Sequence, residues 1–276
     1  MWGYVARMPS RMLLPALFAL SCLMTGNAPA QITDGIADAG LLPGWRTDRG
    51  THIAALRISL RSGWKTYWRT PGEGGIPPQF DWRGSRNVRS AEIHWPTPTL
   101  FETNGMRSVV YSGELVLPVE FIPGDPSAPL HPVAKVSIGV CESVCVPVTL
   151  RFSGELAPDR AQRDARILAA IGDRPETAAE AGAGHVRCEV QPISDGMRIE
   201  ASMALPPLGR NEFAVFELPD RAVWIGSSET RRRGGTLIAS AEMVPPEARP
   251  FSLSRSDVMI TVLSDDRAVS IEGCAG

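Results

Sequence analysis

Little in this sequence points to a charged partner. Its 28 Lys and Arg nearly cancel its 30 Asp and Glu, for a net charge of −2. No long basic run breaks that balance, so nucleic acid is not an expected partner. The consecutive arginines Arg231 to Arg233 stand beside Gly234-Gly235 and read as the solvated tip of a hairpin. Histidine is scarce, and the four present fit no spaced ligand pattern. A soft cation such as Cu(I), held by two cysteines with His94 or His131, is therefore a minor reading. Long apolar runs are missing too. After the N-terminal segment no stretch reaches the roughly 18 residues a spanning helix needs, so the mature chain is expected to be soluble, without a transmembrane segment.

What is present begins with an export signal. Arg7 and Arg11 flank the start of a short apolar run, Leu13 to Met24, and Ala28-Pro29-Ala30 gives an Ala-x-Ala cleavage pattern before Gln31. The residues before Cys22 make a poor lipid-attachment signal by comparison. The expectation is a signal peptide over 1–30, cleaved after Ala30.

Export changes how the cysteines read. The mature chain keeps Cys141, Cys145, Cys188 and Cys274, and an even number in an oxidising compartment implies disulfides. Three pairings are possible. The arrangement along the chain favours Cys141–Cys145 and Cys188–Cys274.

Cys141 and Cys145 lie between two alternating runs. Val136, Ile138 and Val140 alternate with Ser137 and Gly139, and Val148, Leu150 and Phe152 alternate with Thr149 and Arg151. That period of two predicts a half-buried β-hairpin with the cysteines at its tip. Strand-like runs recur from Gln31 to Leu156, such as Leu56, Ile58, Leu60 and Leu115, Leu117, Val119, Phe121. Gly72 to Pro78 and Trp95 to Gly105 read as loops. Asp159 to Ile171 predicts a helix, with Asp159 as N-cap and Gly172 as stop. Strands resume at His185 and continue to Cys274. The fold class predicted is all-β: a first β-sandwich over 31–156, a helix and linker over 157–184, and a second small β-sandwich over 185–276.

Ring size separates the two pairs. Chain entropy assigns about 4.6 kcal/mol to the long Cys188–Cys274 ring and about 2 kcal/mol to the short Cys141–Cys145 ring. The difference corresponds to roughly 50 mV of reduction potential. Cys188–Cys274 thus reads as the structural staple and Cys141–Cys145 as the pair that opens. A hairpin staple or two buried thiols is the bland alternative for Cys141 and Cys145, since Cys-x-x-x-Cys is a weak motif. The pair also lacks the helix N-terminus that activates a thioredoxin thiol, and nothing in its flanks promises to stabilise a thiolate. Glu73, Glu102 and Glu142 read as solvated, and tryptophans Trp64, Trp68 and Trp82 as mostly core.

These residues carry a resemblance. Gly63-Trp64-Lys65-Thr66-Tyr67-Trp68-Arg69-Thr70-Pro71-Gly72, Gly75-Ile76-Pro77-Pro78, Asp81-Trp82, Trp95-Pro96, Tyr111, Leu117-Pro118-Val119 and Cys141 to Pro147 resemble the N-terminal periplasmic domain of DsbD-type thiol:disulfide interchange proteins, including the suppressor-of-copper-sensitivity branch, over about Gly44 to Phe152. The resemblance implies an immunoglobulin-like sandwich in the periplasm and a link to copper tolerance. It implies that Cys141 and Cys145 relay electrons from a membrane thiol transporter to periplasmic thioredoxin-like oxidoreductases, as a protein-disulfide reductase-like module without a cofactor. It places Tyr67 beside the cysteines and Phe101 in the segment that shields them, and favours Cys145 as the sulfur forming mixed disulfides. Two departures stand out. The spacing is three residues where some members have five, and the sequence contains neither the membrane domain nor the thioredoxin-like domain of full-length members. The competing function is a non-catalytic, disulfide-stapled binding module for a protein partner or copper.

Overall fold

The computed structural model describes residues 1–3, 35–159, 162–265 and 267–276. The chain divides into units 1–31 and 32–276. Of the first unit only residues 1–3 are described, without regular structure. The rest of the expected signal peptide, with its cleavage site after Ala30, lies outside the described residues.

The first sandwich has ten strands: β1 (Ile36–Arg46), β2 (His52–Leu60), β3 (Lys65–Gly72), β4 (Gln79–Asp81), β5 (Val88–Ile93), β6 (Thr99–Thr103), β7 (Met106–Ser112), β8 (Glu114–Pro123), β9 (Val133–Cys141) and β10 (Cys145–Ser153). One sheet runs β1-β2-β8-β5; the other runs β10-β9-β3-β7-β6, with β4 added on β9. The period-two runs explain why these sheets face each other. Leu56, Ile58, Leu115, Leu117, Val119 and Phe121 from one sheet meet Val136, Ile138, Val140, Val148, Leu150 and Phe152 from the other, all buried. A register slip of one residue would turn such a row to solvent, at about 1.5–3 kcal/mol per side chain, so the alternation fixes the register. Trp68 is fully buried in this core. Trp64 and Trp82 pack against it, and Trp82 meets Phe121 edge to face at 5.3 Å.

The stretch Trp95 to Gly105, read above as loop, contains strand β6. Thr103 pairs with Met106, so only Asn104 and Gly105 form the turn, with φ of 51° and 78°. Positive φ at both central residues is the hairpin turn whose twist matches the flanking strands, and Asn-Gly is its preferred sequence. The helix is shorter than its periodicity suggested. It is α1 (Ala165–Gly172), and its N-cap is Asp164, whose carboxylate accepts from the Arg166 amide. Asp164 stands directly before the apolar run, so it outcompetes Asp159 as the cap. Ile167 is buried against Leu42, Trp45 and Ala55, whereas Leu168 is exposed.

The second sandwich contains β11 (Glu176–Thr177), β12 (Val186–Pro192), β13 (Met197–Ala204), β14 (Phe213–Glu217), β15 (Trp224–Ile225), β16 (Glu229–Arg233), β17 (Thr236–Val244), β18 (Met259–Leu263) and β19 (Ala268–Glu272). Its sheets run β11-β19-β18-β14 and β12-β13-β17-β15, with β16 on β17. The arginine run lies on β16, beside the Gly234-Gly235 turn. Arg232 is not solvated: its guanidinium grips both Glu212 oxygens, at 2.5 and 2.6 Å. Cys188 and Cys274 are bridged, with Cα atoms 5.6 Å apart.

The sheet containing β14, β18 and β19 is covered on both faces. Ala214, Phe216, Ile260, Val262, Val269 and Ile271 fill the second core. Phe213, Val215, Leu263 and Ala268 point the other way and join the first sandwich's core. At this junction the Arg69 guanidinium donates to both Glu217 oxygens at 2.8 Å, and the Thr70 hydroxyl donates to Glu217 Oε1 at 2.6 Å. Among the described residues no helix is long and apolar enough to cross a membrane.

Candidate thiol-disulfide site

β9 and β10 form an in-register hairpin in which Cys141 directly opposes Cys145. The two are bridged, with Cα atoms 4.1 Å apart. Glu142, Ser143 and Val144 make the tip, all exposed; Cys145 is exposed and Cys141 half-buried. The central strand β3 lies beside β9, with Lys65 opposite Cys141 and Thr66 opposite Val140. The buried Thr66 hydroxyl donates to Gly139 O at 2.9 Å and ties the two strands together. Alternation along β3 sends Thr66 and Trp68 inward and Lys65 and Tyr67 to the outer face.

Tyr67 reaches the bridge. Its hydroxyl oxygen lies 3.2 Å from Cys141 Sγ and 3.3 Å from Cys145 Sγ. A disulfide sulfur has no proton, so the phenol is the donor. Burial pushes the Tyr67 phenol above its ordinary pKa, so it remains a protonated donor to higher pH than a solvated tyrosine would. The ring fits a slot between two glycines. A Cβ on Gly75 would come within 2.9 Å of the ring, and one on Gly139 within 3.1 Å of the ring and 2.8 Å of Ile76 Cβ. The sequence flanks promised no thiolate stabiliser. The structure supplies this one from a strand more than 70 positions away, since a phenol that donates to a disulfide can donate more strongly to a thiolate.

Phe101 is half-buried on β6 and is not part of the apolar core; its neighbour Leu100 packs there instead. The Lys65 ammonium sits 4.1 Å from the Phe101 ring centroid and donates to Gly63 O at 3.2 Å. Phe101 pairs with Ser108 of β7, which places it on the same outer face as Lys65 and Tyr67. Glu142 lies against Gly63, where an added Cβ would be 3.1 Å from its Oε1. Sequence reasoning missed Lys65, Thr66, Gly75 and Gly139. Gly139 carried a signal, as a residue without a side chain inside a strand that marks close approach.

The histidines do not join the cysteines. His94 Nε2 is 3.3 Å from Glu120 Oε2, and His131 pairs with the backbone of Arg86. Among the described residues no group of three or more His, Cys, Asp or Glu is placed to hold a metal ion.

A bridged Cys-x-x-x-Cys pair at a sandwich hairpin tip, backed by a phenol, defines a class of disulfide-bearing immunoglobulin-like modules. The comparisons make that class specific. Residues 38–156 match the family described as thiol:disulfide interchange protein DsbD, N-terminal, and this part of the chain is a DsbD-type N-terminal domain. A similar solved structure is the crystal structure of the N-terminal periplasmic domain of ScsB from Proteus mirabilis, at 21% identity and a TM-score of 0.63, covering 84% of this chain and 90% of that one. That likeness is one of fold and extends through both sandwiches. No curated protein matches the chain.

Proposed function

We propose that this chain is a periplasmic thiol-disulfide relay. Cys141 and Cys145 take electrons from a membrane thiol transporter and pass them to thioredoxin-like oxidoreductases. In this reading 31–156 is the redox domain, 157–184 the connection and 185–276 a companion sandwich. The observation that supports it most is the Tyr67 hydroxyl set within 3.3 Å of both sulfurs of an accessible bridge, a donor that a mere staple does not need. Exposure of Cys145 supports it as the sulfur attacked, with Cys141 as the leaving thiolate.

The reading is tested by equilibrating the protein in graded glutathione and labelling free thiols for mass spectrometry. Cys141 and Cys145 should label together, at a potential at least about 50 mV less reducing than Cys188 and Cys274 require. Two bridges opening together, or a Cys141–Cys145 bridge inert to glutathione, would favour the disulfide-stapled binding module instead.

Phe101 and Tyr67 are the proposed shields of the bridge. Phe101→Ala should speed alkylation of the reduced pair by a small reagent. Because the ring is half-exposed and outside the core, stability should fall by less than about 1 kcal/mol, well short of the 3–5 kcal/mol a core phenylalanine costs. A large drop in melting temperature with unchanged alkylation would make Phe101 a packing residue only.

A further inference from the structure

We propose that Lys65 is a positioning residue for exchange at Cys141, with two alternative partners: the Phe101 ring while the pair is oxidised, and the Cys141 thiolate once the bridge opens. This rests on the reading of Cys141–Cys145 as an exchanging pair.

The register carries it. Lys65 stands directly opposite Cys141 on adjacent antiparallel strands, which sets their Cβ atoms about 4.5–5.5 Å apart on one face of the sheet. Four methylenes let the ammonium reach either the sulfur beside it or the aromatic ring farther along the face. In the bridged state the sulfur is neutral, and the ammonium rests 4.1 Å from the Phe101 centroid. A ring quadrupole is a weak partner for a cation at an exposed site, and a thiolate is a stronger one.

The chemistry puts a thiolate there. A partner thiolate attacks Cys145 Sγ. The partner–Cys145 bond forms, the Cys141–Cys145 bond breaks, and its electron pair leaves on Cys141 Sγ. The partner's second thiol then displaces Cys145, so the partner dithiol becomes a disulfide, the pair gains two electrons, and the two thiol protons end on Cys141 and Cys145. A leaving thiol of lower pKa leaves faster. Tyr67 supplies a neutral donor to that sulfur, and Lys65 supplies positive charge. The other charged groups nearby are committed or acidic. Glu142 lies at the tip against Gly63, Arg107 is bonded to Glu102 at 3.2 Å, and Glu73 accepts from the Arg107 amide at 3.2 Å. Turning the ammonium toward the sulfur also releases Phe101, so opening the bridge and loosening its cover become one event.

The experiment compares the wild-type chain with Lys65→Met and Lys65→Arg. It measures the rate of reduction of Cys141–Cys145 by dithiothreitol and the pH midpoint for alkylation of Cys141 in the reduced protein. Lys65→Met should slow reduction about threefold and raise the midpoint by about one pH unit, while Lys65→Arg keeps both near wild type. If Lys65→Met matches wild type in rate and midpoint, Lys65 is a surface residue and the inference fails while the relay reading stands. A wild-type bridge that resists dithiothreitol as strongly as Cys188–Cys274 would overturn both. Phe101→Leu separates the two partners of the ammonium: it should leave the midpoint at or below the wild-type value, and a rise would overturn the alternation.

Discussion

Glu217→Ala should destabilise the protein by about 3 kcal/mol in chemical unfolding, through the Arg69 guanidinium it leaves behind. Glu217 accepts two hydrogen bonds from Arg69 and one from Thr70, and the pair's side chains are only 17% and 13% exposed. Removing one partner of a buried pair costs about 3–5 kcal/mol because the remaining charge stays desolvated. The low end applies, since Arg69 keeps some water contact and stacks on Trp68 at 4.2 Å. Arg69→Met together with Glu217→Ala should recover much of the loss, because no orphaned charge remains. A loss below about 1 kcal/mol for the single variant would place the pair with ordinary surface ion pairs.

The other large effect is expected at the far end of the chain. Cys274→Ser should cost about 2–5 kcal/mol and be seen as an earlier melting transition. The bridge closes a ring across the second sandwich, its ends 86 positions apart in sequence. The backbone reinforces the same fastening. The Cys188 amide donates to Ala275 O at 2.8 Å, and the Ala275 amide donates to Val186 O at 2.9 Å. Without the bridge, these two hydrogen bonds and the Arg255 link, which accepts from the Cys274 amide and donates to Cys188 O, still hold the last residues near β12, but Cys188 becomes a free thiol in a fully buried position. An unchanged melting curve would mean that the backbone clip suffices.

The strands of both sandwiches were legible where one face is wet and the other dry. β17 alternates without a break, and so does β10 over most of its length, because each separates a core from solvent. The hairpin tip could be read for the same reason. β14 and β18 were harder, since their burial is nearly continuous. A strand covered on both faces has no polar period to detect, and nothing in the sequence says that its second cover is another sandwich. β6 was lost for a different reason. Pro96 and Pro98 before it and Asn104-Gly105 after it are loop signals, and they outweighed a strand of five residues. At the site, the cysteines and Tyr67 could be named in advance. Their juxtaposition came from the resemblance alone, because it depends on β3 lying beside β9, a pairing between segments about 75 positions apart that local pattern does not encode.

The second sandwich is held to the same strand that carries Tyr67. Arg69 follows Tyr67 by two residues on β3, about 7 Å along the strand, and Arg69 is where the second sandwich is held. A protein that docks on another ordinarily covers about 800 Å² of it, a disc roughly 16 Å in radius. Centred on Cys141–Cys145, a disc of that size runs past Tyr67 and along β3 to the junction. If the pair exchanges as proposed, a partner of ordinary footprint would reach the strand residues at which the second sandwich is held.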